Sequence, residues 1–276
     1  MIKAIAVDMD GTFLNSDNDY NRERFAKIYS KMQSRNIKFI VASGNQYAQL
    51  RSFFPDQEQE VTFVSENGAL AFINNQLVHK AVFDQTTVQT VLDLLTNFPF
   101  KVGTILCGVS KAYLLQNETK EFKNIAQKYY YQLAEVASFS FLPEDEFVKF
   151  ALEVPNEQVS EVVDFINQQY ASKVVAVSSG HSSVDLIIPN MHKGKALQLL
   201  LENWGIAPSE LLAFGDGNND LEMLTLAGYS YAMKNGSKDA IETAHYIAPS
   251  SDEDGVLTVI ESLLAKDEIK TRSKEL

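Results

Sequence analysis

Two short acidic segments stand out by their residue types and their setting. Asp8-Met9-Asp10-Gly11-Thr12 follows the apolar run Ala4-Ile5-Ala6-Val7, and Gly215-Asp216-Gly217-Asn218-Asn219-Asp220 follows Leu211 to Phe214. Apolar runs of this length read as strands buried on both faces, and ligands of open α/β sheets bind beyond the carboxyl ends of such strands. One sheet edge would then gather Asp8, Asp10, Asp216 and Asp220. Four carboxylates without a cation repel one another, whereas a set of hard oxygen ligands suits Mg²⁺ with positions left for water and phosphate. Each segment alone has a plainer reading: a solvated acidic turn for the first, an Asx-rich turn capping a helix near Asp220 for the second. Together they leave that reading little room.

Two further segments could meet an anion. Val41-Ala42-Ser43-Gly44-Asn45 ends a strand and opens a helix, which offers a hydroxyl and backbone N–H groups to phosphate oxygens. His192-Lys193-Gly194-Lys195 puts a cation at the start of a helix, where the macrodipole disfavours positive charge, so an anionic partner is the reason to expect it there. Solvated side chains are the plainer reading, and for Lys195 the preferred one.

These segments need a sheet to hold them. Phe25, Ile28, Tyr29 and Met32 recur at helical spacing, Asn36 can close that helix, and Ile37 to Ala42 starts a second strand. A helix with Tyr47, Leu50 and Phe53, stopped near Pro55, leads to a strand over Val61 to Val64. The rhythm returns with a helix ended by Gly205, strands at Leu211 to Phe214 and Tyr229 to Met233, and a helix around Val256 to Leu264. The fold class expected is α/β, a doubly wound parallel sheet. Between about Val82 and Pro189 the pattern changes. Helical stretches at 88–95, 122–133 and 159–170 alternate with strand-like runs at 101–106, 112–115, 150–154, 174–177 and 184–188, which predicts an inserted α/β domain. The expected organisation is a core of residues 1–81 and 190–276 with an insert of 82–189. The hairpin-like stretch Leu70 to Val78, turning at Asn74-Asn75, suits either side. The polar tail from Lys266 is expected to fray.

The four segments, in this order, resemble the haloacid dehalogenase superfamily of phosphatases over nearly the whole chain. The insert is similar to the cap of its Cof-type, or class IIB, members. Ala42-Ser43-Gly44-Asn45-Gln46-Tyr47, Ser52-Phe53-Phe54-Pro55 and Glu66-Asn67-Gly68-Ala69 are similar to bacterial sugar phosphatases of that group. The resemblance implies a Rossmannoid core, a cap of type C2B, and Mg²⁺-dependent hydrolysis of small phosphorylated metabolites, sugar phosphates foremost. It implies Asp8 as nucleophile and Asp10 as general acid and base. Asp8, Asp216 and the Asp10 carbonyl would hold Mg²⁺ with Asp220 supporting, and Ser43, Gly44, Lys193 and Asn219 would bind the phosphate. Asn45 departs from the Arg frequent after the Gly and leaves one cation fewer. The cations have work to do: a carboxylate about 4 Å from a phosphate dianion costs on the order of 4 kcal/mol per charge pair at an effective dielectric near 20.

Composition limits the partners. With Lys+Arg at 24, Asp+Glu at 36 and a net charge of -12, nucleic acid and anionic membranes are poor candidates. No run reaches a membrane span, no signal-like segment opens the chain, and the single cysteine suits a reducing compartment, so a cytoplasmic monomer or weak homo-oligomer is expected. A phosphosugar mutase would use the same Asp pair, and a non-catalytic phosphate-binding regulatory protein would keep the grip without turnover. A receiver domain would lack the insert. His181, between two strands of the insert, is the candidate cap contact, with a solvated loop histidine as the plainer reading. Cys107 reads as a buried residue, and Tyr129-Tyr130-Tyr131 as divided between core and surface.

Overall fold

The structure is a computed structural model that describes residues 1–141, 144–180 and 182–272. The chain divides into two compact units, Met1–Ala42 with Leu197–Leu276, and Ser43–Ala196. The first opens with β1 (Ala4–Val7), α1 (Arg22–Ser34) and β2 (Lys38–Ala42). The second holds α2 (Tyr47–Ser52), β3 (Thr62–Ser65), β4 (Leu70–Ile73), β5 (Gln76–Lys80), α3 (Gln85–Thr96), β6 (Gly103–Gly108), β7 (Ala112–Leu115), α4 (Lys120–Tyr129), β8 (Leu133–Val136), β9 (Phe147–Glu153), α5 (Val159–Gln169), β10 (Val175–Gly180) and β11 (Ser183–Ile187). The chain returns along α6 (Lys193–Trp204) to β12 (Leu211–Gly215), α7 (Leu221–Leu226), β13 (Tyr229–Met233), α8 (Lys238–Thr243), β14 (Tyr246–Ala248) and α9 (Gly255–Arg272).

In the first unit the strands run in the order β14-β13-β12-β1-β2, every neighbouring pair parallel. Val7 lies level with Phe214 on one side and Val41 on the other, so β1 and β12 end together and the residues after them emerge at one edge. The four residues of β1 are buried, as a central strand covered on both faces requires. Phe25, Ile28, Tyr29 and Met32 form the buried face of α1, Asn21 caps it by accepting the Arg24 N–H at 3.1 Å, and Asn36 closes it at φ 55°. Phe13, Phe25 and Phe39 meet edge to face or tilted, with centroids 5.1 to 5.8 Å apart. Arg24 bridges to Glu261 on α9 at 2.6 Å.

The second unit carries a six-stranded sheet, β10-β11-β9-β6-β7-β8, antiparallel except where β8 joins β7 in parallel. Its core joins Val88, Val91 and Leu95 of α3 and Val162 and Ile166 of α5 to Leu106, Phe150 and Leu186 of the sheet. β3, β4 and β5 form an antiparallel meander whose last turn is Asn74-Asn75, at φ 52° and 61°, the left-handed pair that a two-residue hairpin needs.

One local expectation differs from the structure. The helix predicted to reach residue 133 stops at Tyr129, and Leu133–Val136 is a strand instead. Of its four residues only Val136 has a strong strand preference; pairing with β7 decides their conformation. Downstream, α9 runs as far as Arg272, into the polar segment that begins at Lys266.

Candidate active site

The acidic segments meet because β1 and β12 are neighbours. Asp8, Asp216 and Asp220 each present a carboxylate oxygen within 4.8 Å of the others. Asp8 and Asp220 are buried and Asp216 is half-buried. Asp10 is not in that group: it is exposed, and its backbone bridges to Leu14. Asn219 lies one residue before Asp220 and is half-buried.

The loops are shaped by hydrogen bonds to fixed groups. Asp8 N–H donates to Phe214 O at 3.0 Å, and the N–H groups of Phe13 and Leu14 return to Met9 O at 3.0 and 2.8 Å, which curls the chain into a tight turn after β1. That turn needs Gly11, whose φ is 75° and whose Cα faces Asp216 so closely that a Cβ would sit 2.6 Å from Oδ2. Thr12 Oγ1 donates to Asp216 Oδ1 at 2.7 Å, aiming that carboxylate. Asp220 Oδ2 accepts the N–H groups of Asp216 and Gly217, both at 2.9 Å. Asp220 therefore holds the loop that carries Asp216, while its carboxylate stays in the cluster.

Sequence reasoning missed the segment that braces both loops. Asn235 Nδ2 donates to Gly11 O at 2.8 Å, and Ser237 N–H donates to Asp216 O at 2.7 Å. Nothing local in Asn235-Gly236-Ser237 marks this, because its partners lie far away in sequence and become neighbours only through the β12–β13 pairing.

The donor set fits a hard divalent cation. Every ligand atom in the cluster is a carboxylate oxygen, all lie within 4.8 Å of one another and two of the three residues are buried, a hard oxygen set of the kind that takes Mg²⁺.

The other predicted residues lie in the second unit. Ser43 and Lys193 are buried. Ser43 N–H donates to Val64 O at 2.9 Å, and Ser43 Oγ accepts from Asn45 N–H at 3.2 Å. At Gly44 a Cβ would stand 3.0 Å from Asn67 Oδ1. Lys193 opens α6, and His192 Nδ1 accepts the Lys195 N–H at 3.1 Å. His181, the candidate cap contact, lies outside the described residues. Cys107 is buried, 3.7 Å from Tyr130 Oη, and burial with the Glu66 charge nearby pushes its thiol well above the ordinary range, so it is no ready nucleophile. Tyr130 is buried between the exposed Tyr129 and Tyr131. Sequence reasoning also passed over Lys149, a lone cation inside the apolar strand Phe147-Val148-Lys149-Phe150-Ala151-Leu152; that interruption was the signal available.

Among the described residues no helix is long and apolar enough to cross a membrane. A family model described as haloacid dehalogenase-like hydrolase matches residues 5–260. The 5-amino-6-(5-phospho-D-ribitylamino)uracil phosphatase YbjI of Escherichia coli (strain K12) is 43% identical over 263 residues, covering 95% of this chain and 96% of that protein. The crystal structure of SMU.1108c from Streptococcus mutans UA159 superposes with a TM-score of 0.92 at 40% identity, over 96% of this chain and 100% of that one. The subclass IIB sugar phosphatase BT4131 shares the fold, with a TM-score of 0.80 at 20% identity over 95% and 98% of the two chains. The likeness to Cof-type phosphatases, the α/β fold and the enzyme class, a hydrolase of phosphoric monoesters, are borne out by these matches. The chain belongs to the haloacid dehalogenase-like hydrolase family.

Proposed function

We propose that this phosphatase acts with Mg²⁺ on phosphate monoesters of small metabolites, sugar phosphates among them, through an aspartyl-phosphate on Asp8. The observation that carries the reading is the close set of Asp8, Asp216 and Asp220 at the shared end of β1 and β12. The name of the Escherichia coli relative gives that protein a substrate with a phosphorylated ribityl group. A phosphate on a polyhydroxy chain is the leaving-group class we extend to this chain.

In this reading the Asp8 carboxylate attacks phosphorus in line, the ester oxygen departs with the proton of Asp10, and the phosphoryl group is left on Asp8. Asp10 then removes a proton from water, the water oxygen attacks the acyl phosphate, and inorganic phosphate leaves with Asp8 regenerated. Ser43, Gly44, Lys193 and Asn219 grip the phosphate oxygens. Held by Asp8, Asp216 and the Asp10 carbonyl, with Asp220 behind, Mg²⁺ would supply positive charge against the repulsion between carboxylate and phosphate. We take residues 82–189 as a cap inserted into a core of 1–81 and 190–276; the six-stranded sheet, which falls wholly inside that span, supports the division. The buried, unpaired Cys107 supports a cytoplasmic location, and we propose a monomer or weak homo-oligomer.

The test is a screen for released phosphate over sugar phosphates, nucleotides and phosphorylated cofactors, with and without EDTA. Turnover of sugar phosphates that stops in EDTA, returns with Mg²⁺ and is poorly supported by Ca²⁺ is the expected result. Full activity in EDTA would remove the metal, and accumulation of an isomer in place of free phosphate would make the protein a mutase.

A further inference from the structure

Three successive carbonyls after β2 are each turned to a fixed donor. Ser43 O accepts from Asn67 N–H at 3.0 Å, Gly44 O from Lys149 Nζ at 2.5 Å, and Asn45 O from Glu66 N–H at 3.2 Å. A peptide group is planar, so fixing a carbonyl also fixes the N–H of the next residue on the opposite side. The directions of the Gly44, Asn45 and Gln46 N–H groups are thereby set by Lys149 and the turn at 66–68.

That turn is held under strain. Glu66, Asn67 and Gly68 are all left-handed, at φ 52°, 55° and 104°, a run that only Gly adopts without cost. What holds it is a buried polar cluster. Lys149 Nζ lies 2.8 Å from Glu66 Oε2 and 3.8 Å from Asp185 Oδ2, and Asp185 Oδ2 accepts from Asn67 Nδ2 at 2.6 Å. All four residues are less than 5% exposed. Burial opposes the Lys149 charge, but Asp185 and Glu66 outweigh it and keep the ammonium charged well above its ordinary range. Burying an ion cluster carries a desolvation penalty that apolar packing avoids, so stability alone does not account for it. On its other side the turn meets the segment that carries Lys193: a Cβ on Gly68 would stand 2.5 Å from His192 O and 3.1 Å from Lys193 N.

We propose that Lys149, Glu66, Asn67 and Asp185 are positioning residues, which hold the 66–68 turn as a spacer between the Ser43–Asn45 loop and the His192–Lys193 segment and so set the geometry of the phosphate grip. The proposal rests on the reading of Ser43, Gly44 and Lys193 as phosphate ligands. It assigns Lys149, from a strand of the six-stranded sheet, to orienting a backbone carbonyl rather than to touching substrate.

The experiment uses the purified full chain with Mg²⁺, p-nitrophenyl phosphate as substrate and inorganic phosphate as ligand, the latter measured as a competitive inhibitor and by calorimetry. Lys149→Met alone strands two buried carboxylates and risks unfolding, so the working variant is Lys149→Met with Glu66→Gln and Asp185→Asn, which removes the charges together. Gly68→Ala is the independent second variant, because it moves only the spacer and keeps every ion pair. Both are expected to weaken phosphate binding and raise KM about tenfold, with kcat/KM down roughly 10- to 100-fold and kcat reduced less than KM is raised. A folded variant of either kind that binds phosphate and turns over p-nitrophenyl phosphate as the parent does would overturn the proposal. A parent that releases no phosphate from any monoester would instead sink the phosphatase reading, and calorimetry with inorganic phosphate would still judge the spacer.

Discussion

At the scale of single residues, the three clustered aspartates have different surroundings and so predict different losses. Asp8→Asn should fold normally yet lose turnover roughly a hundredfold or more, because the amide is nearly isosteric but a poor nucleophile. Steady-state phosphate release by the folded variant at more than a few per cent of the parent rate would dismiss Asp8 as nucleophile. Asp220 braces the Asp216 loop through two N–H groups, so Asp220→Ala should chiefly raise the Mg²⁺ concentration needed for half-maximal activity, by about 10- to 100-fold. Asp220→Asn, whose amide oxygen can still accept both bonds, should lose less. Tyr113 provides a pH signature away from the site. Burial and the 2.9 Å hydrogen bond to Asp145 push its phenol up to about 12, from 10.0. The folded state then keeps a proton that the unfolded chain gives up, so the contribution is whole below pH 10 and is lost as pH rises through about 12. Tyr113→Phe should flatten the fall in stability across that window, measured by urea unfolding at stepped pH. The acidic segments were legible because apolar strands point at them. Asn235 and Lys149 were not read as functional, because their partners come together only through tertiary pairing.

At the scale of elements, two glycines separate conformational cost from crowding. Gly205 ends α6 at φ 64° with nothing within 4 Å of where a Cβ would stand, so Gly205→Ala should cost about 1 kcal/mol from backbone conformation alone, and Gly205→Asn less. The urea midpoint measures this, and activity per folded molecule should not move. Gly215 is the reverse case: a Cβ there would stand 2.5 Å from Asp220 Cβ, so Gly215→Ala should disturb the Asp216–Asp220 loop and lower kcat more than its stability cost accounts for. An unchanged kcat in Gly215→Ala would show that the loop tolerates the displacement. Most elements were readable from the sequence because their signals are local. Asn36 and Asn74-Asn75 take the left-handed backbone expected of a helix end and a tight hairpin. β8 was not readable, since its conformation depends on a partner strand.

At the scale of the whole molecule, a net charge of -12 sets a repulsive field against a phosphate dianion. Raising salt from about 10 to 150 mM shortens the screening length from roughly 30 to 8 Å, so kcat/KM for phosphate monoesters should increase over that range at fixed free Mg²⁺. A steep decrease would mean that local cations dominate the approach. The proposed phosphate ligands cannot tell one leaving group from another, and exchange of residues 82–189 for the matching segment of a relative should reorder the substrates without changing the response to Mg²⁺ proposed above. The order of the strands also bears on synthesis. β1 is made well before its neighbour β12, which begins only at Leu211. On a growing polypeptide the Asp8 turn therefore waits with one strand edge bare until β12 has been made, and Asp216 reaches it only then. Ser43–Ala196 is contiguous and can condense while the rest is still being made. Ribosome-bound chains stalled before residue 211 should thus bind holdase chaperones and lack the Asp8, Asp216 and Asp220 cluster, whereas chains released beyond β12 should acquire both protection and that cluster in one step.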